Sequence, residues 1–130
     1  MGQKIEVKVR FAETDLLGHV NNASYFVYLE EARVEFFKTV FPEKKQSFVV
    51  ASVKCDFLRQ AFFDQWLMIQ TKVVKIGNKS FDLEHAIIDK NSGELIATGR
   101  SVVVHFNFEK QASETITSEM RKQLEQAQHI

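Results

Sequence analysis

Ile5, Val7, Val9 and Phe11 alternate with Lys4, Glu6, Lys8 and Arg10. That period of two predicts a strand with one face on a core and the other in water. A turn-rich stretch follows, in which Asn21 or Asn22 is suited to cap a helix running to about Val40. Along it Tyr25, Leu29, Ala32, Phe36 and Val40 recur at spacings of 4, 3, 4 and 4, with a second apolar row of Phe26, Phe37 and Phe41 beside them. An apolar sector this wide predicts a helix embraced by a sheet rather than laid on a surface. Pro42 marks the exit.

Four more strands are predicted after it. Residues 47–58 carry Val49, Ala51, Val53, Cys55 and Phe57 in one phase, and residues 66–76 run to Gly77-Asn78. Residues 80–89 hold Phe81, Leu83 and Ile87 in phase, and the Asp89-Lys90-Asn91-Ser92-Gly93 cluster reads as a hairpin loop before residues 94–108. A polar link leads to a short amphipathic helix with Ile116, Met120, Leu124 and Ala127 on one side. Hairpin-length connections would make the last four strands antiparallel. The pattern predicts an α+β fold in a single domain, 1–130: a five-stranded antiparallel sheet curled around one long central helix, plus a short C-terminal helix. Such a sheet has two edges, and pairing with a second copy is a natural way to cover one.

Composition narrows the function more than the fold. Twelve phenylalanines in 130 residues either fill the core or line an apolar ligand site or subunit interface. Acidic and basic residues balance at 17 each, so nothing favours nucleic acid as a partner. No run of 18 apolar residues occurs, so no membrane insertion is expected, and Met-Gly-Gln-Lys opens no signal-peptide core. The single Cys55 excludes an internal disulfide framework and suits a reducing cytosol, which predicts a cytoplasmic protein. His19, His85, His105 and His129 are scattered, and no H-x-x-x-H pair accompanies them, so no metal site and no cofactor are expected.

Candidate chemistry is concentrated between Arg10 and Asn22, Arg-Phe-Ala-Glu-Thr-Asp-Leu-Leu-Gly-His-Val-Asn-Asn. Asp15 can be a turn carboxylate, or an acid delivered beside a helix N-terminus. The first helical turn leaves N–H donors free and carries partial positive charge, so it can offer an oxyanion hole while Asp15 attacks a carbonyl or activates water. Gly18 opens backbone conformations closed to other residues. His19 either bonds substrate, water or Asp15, or is structural, and Asn21 and Asn22 are caps compatible with either reading. Glu31 lies about 13 Å along the helix from Asn22, too far for the same carbonyl, and an ion pair with Arg33 or a second chain is expected for it. His85 and His105 fall mid-strand and are expected to be packed or interfacial. Lys79 and Ser80 follow the Gly77-Asn78 turn and can meet a phosphate, or Lys79 is simply solvated there. No G-x-S-x-G elbow, Walker loop or G-x-G-x-x-G is present, so serine hydrolase, nucleotide hydrolase and dehydrogenase readings fall away.

Asp15-Leu-Leu-Gly18-His19-Val20-Asn21-Asn22, then Tyr25 and Glu31-Ala32-Arg33, resembles the 4-hydroxybenzoyl-CoA thioesterase-like branch of the hotdog-fold acyl-CoA thioesterases. Asp56-Phe57-Leu58-Arg59, Asp64 and Gly77-Asn78-Lys79-Ser80-Phe81 look like later landmarks of that family. The resemblance implies a hotdog fold, dimers joining two sheets edge to edge, tetramers built from them, and active sites at the dimer interface. It implies an acyl-CoA substrate, with Asp15 as catalytic nucleophile or general base and the Asn22 amide polarising the thioester carbonyl beside His19. Gly18, Asn21, Ala23, Tyr25, Arg59, Lys79 and Ser80 become the candidate substrate contacts, Lys79 near the coenzyme A phosphates. Two neighbouring basic positions of the 4-hydroxybenzoyl enzyme are Gly77 and Asn78 here, and Glu13 stands where many relatives carry Asp. Two other classes remain open: a non-catalytic acyl-CoA binding protein, and a hotdog dehydratase or hydratase.

Overall fold

A computed structural model describes residues 3–43 and 47–128 of the chain; His129 lies outside the described residues. Strand β1 (Gln3–Lys8) leads through a single 3-10 turn (Phe11–Glu13) into helix α1 (Asn22–Val40). Strands β2 (Phe48–Phe57), β3 (Trp66–Ile76), β4 (Ser80–Asp89) and β5 (Leu95–Asn107) follow, then β6 (Ala112–Ser113) and helix α2 (Ser118–Gln128). Every element legible in the hydrophobic pattern is present. Phe11 departs from its strand phase: the β1 ladder ends at Lys8 opposite Trp66, and the Phe11 ring, in the 3-10 turn, is largely exposed. The two-residue β6 lies in what reads as a polar link, and pairs with the end of β5 through Phe106 and Asn107.

The sheet is antiparallel throughout, in the order β1-β3-β4-β5-β2 with β6 beside β5. Hairpins join β3 to β4 and β4 to β5, but β2 pairs with β5 rather than with β3, its neighbour in sequence. The connection 58–65 therefore carries the chain from the β2 edge of the sheet across to β3, whose outer side is already paired with β1. That crossing segment forms one wall of the candidate site below.

Helix α1 starts where Asn21 caps it. Extended at φ −62°, ψ 137°, Asn21 accepts the Ala23 N–H on its side-chain oxygen at 2.8 Å. Replacing Asn21 with Ala is expected to cost about 1 kcal/mol, read as a fall in Tm of about 3–5 °C; an unchanged Tm would show that the cap contributes nothing. Tyr25, Tyr28, Leu29, Ala32, Arg33 and Phe36 form the buried side of α1. Phe26, Val27 and Val34 on its other side stay 38–48% exposed, so within the described residues the 19-residue helix is covered on one face. The wide apolar sector is therefore only partly used.

The sheet turns its inner phase toward that face. Leu67, Ile69 and Val73 of β3, Phe81, Leu83 and Ile87 of β4, and Ala97 and Val103 of β5 are buried, while the residues of the opposite phase between them, such as Met68, Gln70, Asp82 and Val102, are not. Gly99 sits in the same phase, where a Cβ would stand 2.8 Å from the fully buried Leu29 side chain, so glycine lets α1 lie close to β5. Helix α2 closes the far end with Met120, Leu124 and Ala127 against Phe36, Phe41 and Phe81.

Between the two apolar clusters a polar row crosses the sheet. Thr71, His85 and Ser101 are buried on adjacent strands at the inward phase, and Arg33 reaches them from α1. Arg33 Nη1 donates to Ser101 Oγ at 3.1 Å, Ser101 Oγ lies 2.9 Å from His85 Nε2, and His85 Nδ1 lies 3.0 Å from Thr71 Oγ1. A guanidinium only donates. The direction that uses each donor once runs from Arg33 to Ser101 to His85 to Thr71, with the imidazole proton on Nδ1. The expected ion pair of Glu31 with Arg33 is absent, because residues two apart on a helix point in different directions and Arg33 points inward.

Burial, with the Arg33 charge adding to it, pushes the His85 imidazole down to about 4. The unfolded chain binds a proton near pH 6.5 that the folded protein refuses until about pH 4, so folding stability is full above pH 6.5, falls as pH drops toward 4, and then levels. The loss should reach about 3 kcal/mol. Urea unfolding at pH 7 and at pH 4.5 measures it, and His85→Leu should flatten the difference; an equal slope in that variant would assign the effect elsewhere.

Candidate active site

The segment Thr14–Val20 doubles back on itself. Thr14 bridges Val20, the Asp15 N–H donates to the His19 carbonyl at 2.8 Å, and the Gly18 N–H donates to the Asp15 carbonyl at 3.1 Å. Gly18 has φ +86° with open space where a Cβ would stand, so the turn needs glycine for its backbone conformation and not for a close approach. Inside this turn Asp15 Oδ1 accepts the Leu17 N–H at 2.8 Å and the His19 N–H at 3.3 Å. Oδ2 makes no hydrogen bond to the described residues. One oxygen thus fixes the carboxylate and the other is available.

The tip of α1 stands beside the turn. Of its first donors, the Ala23 N–H is taken by the Asn21 side chain and the Ser24 N–H by the Asn21 carbonyl at 2.9 Å. That leaves the Asn22 N–H as the open donor, and takes the Ala23 N–H out of the candidate substrate contacts. Asn21 is held by its own N–H to the Glu13 carbonyl at 2.8 Å, so it acts on the tip without lining the cleft.

Asp15, His19, Val20 and Asn22 form one wall of a cleft of about 310 Å³, with Tyr25 at its base and Phe57, Leu58, Arg59 and Gln60 opposite. The second wall is fixed by the crossing segment: the Val20 N–H donates to the Ala61 carbonyl at 2.7 Å, and His19 bridges Phe62, their rings meeting edge-on at 5.4 Å. Asp64, at φ 72°, donates its N–H to the Val9 carbonyl and pairs with Lys8 at 2.9 Å, so this landmark anchors the segment to β1. Tyr25 is 3% exposed and packs on Tyr28 and Phe57. Burial raises its hydroxyl pKa, the Ala61 backbone pulling it partly back. Arg59 reaches the cleft but also pairs with Glu94 at 3.0 Å.

The sequence-predicted residues divide by position. Asp15, His19, Asn22, Tyr25 and Arg59 meet in one cleft, while Gly18, Asn21 and Ala23 shape its wall from behind. Lys79 and Ser80 do not join them. Ser80 pairs with Val104, eight positions along β5 from the Ile96 that holds Leu58 and Arg59, which is about 26 Å. Lys79 lines a different cleft with His105, Ser113, Glu114, Thr115 and Thr117. His105 is buried there, its Nδ1 3.0 Å from the Thr115 carbonyl. Leu58 and Gln60 line the Asp15 cleft as well; Leu58 belongs to the Asp56-Phe57-Leu58-Arg59 landmark, whereas nothing in the sequence singles out Gln60. Among the described residues no cluster of three or more His, Cys, Asp or Glu can hold a metal ion, and no helix is long and apolar enough to cross a membrane.

Residues 9–124, which include every residue of this cleft, match the family model of the thioesterase-like superfamily. The chain belongs to that superfamily. This thioesterase-like chain is 38% identical over 122 residues to the protein YsmA of Bacillus subtilis strain 168, covering 92% of the chain and 82% of that protein. It is 28% identical over 126 residues to the long-chain acyl-CoA thioesterase FadM of Escherichia coli K12, covering 93% and 96%. A thioesterase from Thermus thermophilus, solved with coenzyme A and Zn, superposes with a TM-score of 0.88 at 29% identity, covering 98% of this chain and 94% of that one.

Proposed function

We propose that this chain hydrolyses an acyl-CoA thioester to the free acid and coenzyme A. The observation that carries the reading is that the free Oδ2 of Asp15 and the unpaired Asn22 N–H belong to the same cleft. The names of its relatives FadM and the coenzyme A-bound Thermus enzyme support it. The thioester oxygen would accept from the Asn22 N–H, where the positive end of α1 stabilises the charge that develops there. Asp15 then has two routes. It attacks the acyl carbon, the C–S bond breaks to release the thiolate, and water cleaves the resulting mixed anhydride; or it takes a proton from the water that attacks. The thiolate leaves readily near neutral pH, so neither route requires a strong general acid, metal or other cofactor. His19 borders the carbonyl position, and Tyr25, Phe57 and Leu58 would receive the start of the acyl chain.

A second copy, joined edge to edge, would supply the rest of the site. Strand β2 is an open edge, and antiparallel pairing with β2 of a second copy would set Phe57 of one chain opposite Phe48 of the other. Phe48 pairs with His105, whose N–H donates to the Lys79 carbonyl, so the second copy's Lys79 and Ser80 would approach the cleft as phosphate contacts. A thiol-release assay across short, medium, long and aryl acyl-CoAs tests the function. Free thiol with equimolar acid is expected for at least one class. Binding without turnover would make the protein an acyl-CoA binder, and an enoyl thioester product would make it a dehydratase.

A further inference from the structure

We propose that Glu13 is a positioning residue that clamps the Asp15 turn and the tip of α1 into one rigid frame; its kinetic consequence, though not the clamp itself, rests on the thioesterase reading. Its carboxylate gathers four donors from two segments. Oε1 accepts the Arg10 N–H at 2.9 Å and the Tyr28 hydroxyl at 2.8 Å, and Oε2 accepts Arg10 Nε at 3.0 Å and Nη2 at 2.9 Å. Its main-chain carbonyl takes the Asn21 N–H at 2.8 Å and the Ser24 hydroxyl at 3.3 Å. One residue thus ties the exit of β1, the capping residue of α1 and the second turn of that helix together.

The chemistry is selective for a carboxylate. With both oxygens accepting and every partner donating, an amide would turn half of the group against the Arg10 or Tyr28 protons. Burial alone would raise the Glu13 carboxyl pKa; the Arg10 N–H, the Tyr28 hydroxyl and the Arg10 guanidinium outweigh it and hold it below the usual range. Tyr28 is 1% exposed and packs on Tyr25, so the far side of the clamp is fixed in the core. Two residues beyond Glu13 the chain reaches Asp15, whose neighbours Leu16 and Leu17 are fully exposed or nearly so. The turn has no side-chain packing at its tip to steady it. Its far end is tied to the crossing segment through Val20 and His19, and the Glu13 end ties it to the tip of α1 through Asn21.

The test uses the full chain with Glu13→Gln and, independently, Tyr28→Phe. Amide hydrogen exchange at Asp15, Val20 and Asn21 is expected to speed up about 10-fold or more in both, with Leu83, His85 and Ile87 in β4 unchanged. On the acyl-CoA that the wild type hydrolyses, kcat should fall about 10–100-fold with KM within about twofold, as for a displaced reacting group. Wild-type exchange in the 15–21 segment, or acceleration shared equally by β4, overturns the clamp. So does wild-type kcat in both variants of an active enzyme. If the segment loosens but the wild type turns over no acyl-CoA, the clamp stands and the thioesterase reading falls.

Discussion

Asp15→Asn is expected to lower kcat for thiol release by about 10²–10⁴-fold, about 3–5 kcal/mol of barrier, with little change in KM. The substitution is close to isosteric. The turn is expected to stay in place, since an amide oxygen at position 15 can still accept the Leu17 and His19 N–H groups that now bind Oδ1. What disappears is the second oxygen, the one without a partner. An amide neither attacks an acyl carbon usefully nor takes a proton from water near neutral pH. Near wild-type turnover in the purified variant would remove Asp15 from the reaction and return it to the role of a turn acid.

Ser101→Ala is expected to be the most destabilising small change in the core, at about 3–4 kcal/mol, or a fall in Tm of about 10–20 °C. The Ser101 hydroxyl accepts from Arg33 and meets His85 Nε2, and it is 0% exposed. Removing it strands a charged donor and an imidazole nitrogen in the interior, where each unpaired group keeps its full desolvation penalty. Arg33→Met is the informative contrast. It removes the buried charge together with its need for a partner while keeping much of the volume, so it should cost much less than Ser101→Ala. Thermal melts of the two variants decide the matter: a Ser101→Ala protein that melts within about 2 °C of wild type would show the polar row to be incidental.

How much of this was legible in the chain depended on whether the signal was local. The inward phase of β4 and the capping of α1 by Asn21 or Asn22 follow from spacing and side-chain chemistry within one element, and they could be read directly. His85 fell mid-strand and read as packed or interfacial, yet the row it joins with Thr71 and Ser101 ends on Arg33, which comes from another element and read as an ion-pair partner of Glu31. The placement of β2 beside β5 was hidden because strand pairing is settled by which edges remain open, a property of the whole sheet. The same non-local step puts Leu58 and Gln60 across from Asp15. It also separates Lys79 and Ser80 from that cleft within one chain, although motif order alone grouped them with it. Finally, the open donors of a helix tip cannot be counted from sequence: Asn21 was readable as a cap, but that it consumes the Ala23 N–H emerged only from its geometry.

The most direct test of the central claim is a crystal structure of the assembled protein with a carba-analogue of its acyl-CoA, in which CH₂ replaces the thioester sulfur and the carbonyl is kept. The account predicts the carbonyl oxygen within about 3.2 Å of the Asn22 nitrogen, and the carbonyl carbon within about 3.5 Å of Asp15 Oδ2 or one bridging water away. A carbonyl seated away from the α1 tip, with Asp15 beyond a water-bridged reach in every subunit, would contradict it.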